Sequence, residues 1–113
     1  MNETDLVRLR HMLDAAREAL SFLEGRTLDD LKRNRMLALS LVKELEIIGE
    51  AASKVSDEVK ALAPDIPWPM IVGMRNRLIH AYFEVGFDIV WTTATSKLPG
   101  LTTSLERLLV RSE

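Results

Sequence analysis

Met74-Arg75-Asn76-Arg77-Leu78-Ile79-His80-Ala81-Tyr82-Phe83 decides how the rest of the chain is read. Arg75 to Tyr82 places two guanidiniums, a carboxamide, an imidazole and a phenol in a chain that otherwise reads as plain amphipathic helix. The sequence has two histidines and a single tyrosine, and His80 and Tyr82 both fall here. Ile71, Met74, Leu78 and Tyr82 recur at helical spacing and predict an inward stripe with Arg75 at its edge. Gly73, Asn76, Arg77, His80 and Glu84 fall on the opposite side. Five residues of α-helix turn through about 500°, so Arg75 and His80 point about 140° apart. A phosphate gripped by both requires either a helix break near His80 or a second copy of the chain.

Working outward, Pro64-Asp65-Ile66-Pro67-Trp68-Pro69 reads as a turn segment, because each proline pushes its predecessor out of the α region. Pro69 suits a first helical position, so the motif helix is expected from there to about Phe83. Upstream, Leu6, Leu13 and Leu20, with Leu9, Ala16 and Leu23, draw an apolar stripe on a helix from Thr4 to Glu24 that Gly25 closes. His11 lies off that stripe, as an ordinary surface histidine would. Thr27 and Asp30 form a capping-box pattern and open a second, long helix to about Val55. In it Gly49, flanked by Ala51 and Ala52, makes a small-residue surface. A glycine inside a helix costs about 1 kcal/mol against alanine, which a close helix–helix approach would offset. Ser56 caps a short helix from Asp57 to Ala63. Beyond the motif, Gly86 ends the segment and Asp88 caps a helix from Ile89 to Leu98. Pro99 then starts or kinks the last segment, which Leu101, Leu105, Leu108 and Leu109 pack back. Nothing alternates with a period of two. The expectation is an all-α bundle of four to five main helices in a single domain, residues 1–113.

Composition narrows the chemistry. The chain has 113 residues, 47% hydrophobic and 28% charged, as in a folded domain rather than a disordered one. No apolar run approaches the roughly 20 residues of a membrane span, and Met1-Asn2-Glu3-Thr4-Asp5 does not begin like a signal peptide, so a cytoplasmic location is the default. The absence of cysteine removes disulfides, thiolate catalysis and zinc–thiolate sites. Two histidines far apart, with no HExxH pattern, give no metal-ligand spacing either, and no cofactor is expected. A net charge of −2 leaves nucleic acid open, since an enzyme that grips one or two phosphates needs only a local patch. Arg75, Arg77 and His80 form one such patch. Lys32-Arg33-Asn34-Arg35 forms another, and equally suits a solvated helix face.

Arg-x4-His followed by x-Tyr resembles the motif of the HEPN superfamily. Ile48-Gly49-Glu50-Ala51, Ile66-Pro67-Trp68 and Asp88-Ile89-Val90-Trp91 lie around it in the order seen in its HepT/DUF86 branch, which are toxins of prokaryotic toxin–antitoxin pairs. The resemblance implies a HEPN-type symmetric homodimer with the motifs of both chains facing one cleft, and a metal-independent endoribonuclease. It places Arg75 on the phosphate and His80 as acid and base. Asn76 and Arg77 are in support, and Glu50 would face the motif helix and orient an arginine. It further implies a small nucleotidyltransferase antitoxin of the MNT type that adenylylates Tyr82.

The residues themselves suit that chemistry without requiring it. RNA carries its own nucleophile, the 2′-hydroxyl, so a protein need supply only a proton acceptor and donor and cations for the crowded phosphate. Histidine changes charge around neutral pH, and arginine is a permanent, forked cation. The bland reading pairs Arg75 with Glu50, makes His80 a helix C-terminal cation, and sinks Tyr82 in the core with its hydroxyl near the surface. A further alternative is a non-catalytic helical module that binds a nucleotidyltransferase partner.

Overall fold

Side-chain oxygens of Asn2, Thr27, Asn34 and Ser56 each accept a hydrogen bond from the backbone N–H three residues on, and these caps fix where helices begin. In the computed structural model, which describes residues 1–81 and 85–111, the elements are all helical. They are α1 (Glu3–Leu23), α2 (Leu28–Arg33), α3 (Arg35–Ser53), α4 (Asp57–Lys60), α5 (Trp68–Ala81), α6 (Phe87–Thr92), a π-helical turn (Thr93–Lys97) and α7 (Leu98–Arg111). The four long helices α1, α3, α5 and α7 make the expected all-α bundle. Helix α1 packs against α3 and α7, and α5 packs against α3.

The core of α1 is broader than the leucine stripe suggested. Met12, Ala15 and Ala19 join Leu9, Leu13, Ala16 and Leu23 inside, while Leu6 and Leu20 are only half-buried. Small alanines at this seam let α3 come close, and Leu41, Leu45, Ile48 and Ala52 meet them. Gly25 has φ of 72°, the left-handed conformation that glycine enters without a Cβ clash, and it ends α1 as expected. The Thr27–Asp30 capping box is present in both directions. Asp5, buried on α1, accepts from both the N–H and the hydroxyl of Ser56 and so ties the start of α4 to the first helix.

Three local expectations are corrected. The second helix is not continuous from Thr27 to Val55 but breaks at Asn34 (φ −115°, ψ 97°). The Asn34 side chain caps Leu37 N–H, and a carboxamide that satisfies free N–H groups competes with helix continuation. The basic run is therefore not one solvated face: Lys32 lies 3.9 Å from Asp88, Arg33 lies 3.0 Å from Asp29, and Arg35 opens α3. Asp88 is not a cap. The helix starts at Phe87 after Gly86, which offers no side chain, and Asp88 sits in the first turn facing Lys32. Helix α4 stops at Lys60 rather than Ala63, and the following turns lead to Trp68, whose Nε1–H donates to Ala63 O at 3.1 Å. Pro99, by contrast, stands as expected at the start of a segment, in the first turn of α7 directly after the π turn.

Candidate active site

Helices α3 and α5 cross at Gly49. A Cβ there would overlap Cβ and Cγ of Arg75 and lie 3.1 Å from Ile71 O, so the glycine is what allows this approach. The expected compensation for a glycine inside α3 is thus found, and it brings Arg75 to Glu50. Arg75 Nη2 donates to Glu50 Oε2 at 2.5 Å and Nη1 to Asn76 Oδ1 at 2.9 Å, while Nε is buried without a partner. Lys54 Nζ lies 3.5 Å from the other Glu50 oxygen. The Arg75 side chain is 28% exposed, half-sunk and pinned at its tip, so it presents a fixed rather than a roving cation.

Helix α5 runs regularly through Ala81, so no break precedes His80. Arg75 therefore faces α3 while His80, in the last turn, stands in solvent about 140° away. Asn76 and Arg77 are also exposed, and Arg77 and His80 make no hydrogen bond or ion pair among the described residues. The chain brings together Arg75, Asn76 and Glu50. It does not bring His80 to them. Tyr82, the expected modification site, lies outside the described residues, as does the expected helix end at Phe83.

Two features went unread in the sequence. Arg8 and His11 on α1 border a recess with Lys43, Glu46 and Glu50 of α3 and Ile79 of α5. Their three-residue spacing on the edge of α1 was the available signal. The second is Glu44, which falls between Leu41 and Leu45 and is buried on the α1 side of α3. Desolvation, reinforced by a hydrogen bond and like charge from Glu18, pushes its carboxyl up from 4.5 to about 7. Among the described residues no three His, Cys, Asp or Glu gather as a metal site would require. No helix of the described residues is long and apolar enough to cross a membrane.

Residues 12–108 match the model of the family described as ribonuclease HepT-like, and the chain belongs to that family of ribonucleases. A "Probable ribonuclease HepT" of Thermococcus cleftensis is 34% identical over 100 residues, covering 85% of this chain and 91% of the relative. A protein of Caldanaerobacter subterraneus subsp. tengcongensis, named "Putative RNase TTE0752", is 31% identical over 105 residues, covering 93% and 94%. No solved structure gives a significant match.

Proposed function

We propose that the chain is a metal-independent endoribonuclease that works as a symmetric homodimer and serves as the toxin of a toxin–antitoxin pair. One observation carries the dimer: Arg75 is fixed against α3 while His80 stands free on another side of the same unbroken helix. Two chains related by a two-fold axis through the α5 faces bring both groups to one cleft, each chain completing the other's site. There the 2′-hydroxyl attacks the adjacent phosphorus, one His80 takes its proton, and the other protonates the departing 5′-oxygen. The products are a 2′,3′-cyclic phosphate and a 5′-hydroxyl end. Arg75 stabilises the charge on the phosphoryl oxygens, Asn76 and Glu50 hold its fork in place, and Arg77 adds a phosphate contact.

Silencing rests on the resemblance of His80-Ala81-Tyr82 to the family's His-x-Tyr motif. The phenol of Tyr82 attacks the α-phosphorus of ATP on an MNT-type nucleotidyltransferase antitoxin, and pyrophosphate leaves. The added nucleotide repels RNA phosphates from the cleft. His80→Ala and Arg75→Ala are each expected to lower cleavage about a hundredfold or more with the dimer intact. Intact mass after co-expression with the antitoxin should show AMP on Tyr82, and Tyr82→Phe should escape neutralisation. A chain that is only monomeric at micromolar concentration would remove the composite site.

A second reading has its own observation. Glu50 already neutralises Arg75, as in a structural ion pair, which suits a non-catalytic helical module that only holds a nucleotidyltransferase. An unaltered chain that binds the nucleotidyltransferase but cuts no RNA would favour it.

A further inference from the structure

The recess beside the candidate centre is built by three helices and has a volume of about 320 Å³. Arg8 is half-buried at its wall, and its Nε is shut away from water with no hydrogen-bond partner. His11, one turn further along α1, and Lys43, opposite on α3, are exposed around the same opening. None of the three makes a hydrogen bond or ion pair among the described residues. Several other cations are engaged, Arg17 with Glu106, Arg33 with Asp29, and Lys54 and Arg75 with Glu50, while Arg77 on α5 is unpaired among the described residues, like the recess cations. Of the recess carboxylates, Glu50 is neutralised by Lys54 and Arg75, which leaves Glu46 against Arg8 and Lys43. The local balance is positive in a chain whose net charge is −2. Ile47, Ala51 and Ile79 supply an apolar surface beside the cations.

Its place in the fold gives the recess a use. Glu50 is shared: it holds Arg75 and is also one of the residues that line the recess. Ile79, at its edge, is the neighbour of His80. The geometry points to a second phosphate subsite, in which Arg8, Lys43 and His11 hold a backbone phosphodiester of single-stranded RNA flanking the one that is cut. The proposal rests on the ribonuclease reading. It adds three residues from α1 and α3 to a site otherwise confined to α5 and Glu50. Arg8, with its Nε out of water, is the anchor, with His11 beside it on α1 and Lys43 across the opening on α3.

The test measures binding of a short 2′-O-methylated single-stranded oligoribonucleotide, which lacks the free nucleophile and stays uncut, across a salt series. Arg8→Gln and Lys43→Gln should each weaken binding several-fold and flatten the salt dependence by about 0.7 in log–log slope, the amount for one lost phosphate contact on a single strand. Arg8→Lys should recover most of the slope. With cleavable RNA the same variants should raise KM and leave kcat. Arg10→Gln, an equal loss of charge on an exposed part of α1 outside the recess, should change neither. Lys43 is exposed, so its variant keeps the test valid if Arg8→Gln folds poorly. If the unaltered chain binds and cuts RNA and both glutamine variants match it in affinity and slope, or if Arg10→Gln loses as much, the subsite is wrong. If the unaltered chain neither binds nor cuts RNA, the ribonuclease reading falls first and the subsite with it.

Discussion

The Cα of Gly49 faces the side-chain stem of Arg75 so closely that no Cβ fits between them. Gly49→Ala therefore sets two effects against each other. Alanine favours the helix by about 1 kcal/mol, while forcing α3 and α5 apart costs about 1–3 kcal/mol. The obstacle includes backbone, Ile71 O, which cannot swing away as a side-chain tip can. Net destabilisation is expected in thermal denaturation, with RNA cleavage reduced further as Arg75 shifts from Glu50. A raised melting temperature would show that the crossing has slack.

Asp5 makes a second test of a single buried group. It accepts from Ser56 N at 2.9 Å and from Ser56 Oγ at 2.8 Å. Asp5→Ala leaves those donors without their partner, at a cost of about 1–3 kcal/mol. The loss should appear in denaturant melts as a lower midpoint, and an unchanged midpoint would mean that the contact contributes nothing.

Glu44 makes stability depend on pH. Its folded value, about 7, lies above the ordinary 4.5, so between these values the folded chain holds a proton that the unfolded chain has released. The stability it supports is fully present below about 4.5 and is lost as the pH rises through about 7. Glu44→Gln, which keeps the shape and cannot ionise, should flatten that part of the pH profile and raise the melting temperature at pH 8. Equal slopes for the two chains between pH 5 and 7.5 would mean that Glu44 is charged in the folded protein.

Chelation tests the proposed reaction directly. The nucleophile belongs to the RNA, and Arg75 and His80 supply charge and proton transfer. Initial cleavage rates should therefore stay within about twofold in excess EDTA. Loss of activity that an added divalent ion restores would replace the mechanism with a metal-assisted one.

Much of the bundle was legible because its signals are local. The Thr27–Asp30 and Ser56 caps, Gly25 and the leucine rows report on neighbours within a turn or two. The Gly49 approach was legible for a different reason, since a glycine inside a helix asks for a compensating contact. Asn34 was missed because the apolar period of Leu31, Ala38 and Leu41 runs through it, and only the carboxamide's choice of N–H distinguishes a break from a continuous rod. In the site, the Arg75–Glu50 contact was anticipated, but the recess was not. Arg8, His11 and Lys43 are unremarkable on their own helices and acquire meaning only when α1, α3 and α5 are assembled.

The π turn at Thr93–Lys97 acts on rotational phase. Val90, Ala94 and Leu98 are all buried and follow one another by four residues, a spacing that drifts about 40° per step around an α-helix. A wider turn takes more residues per revolution, which cancels the drift and delivers Leu101, Leu105 and Leu108 to the same side as Val90. It also lies where Pro99, lacking an N–H, would leave a carbonyl of a regular α-helix without its donor. The irregularity is thus a gear between two stretches of the C-terminal rod, one set by α6 against α2 and the other by α7 against α1. Sequence length within 93–97 is what keeps them meshed.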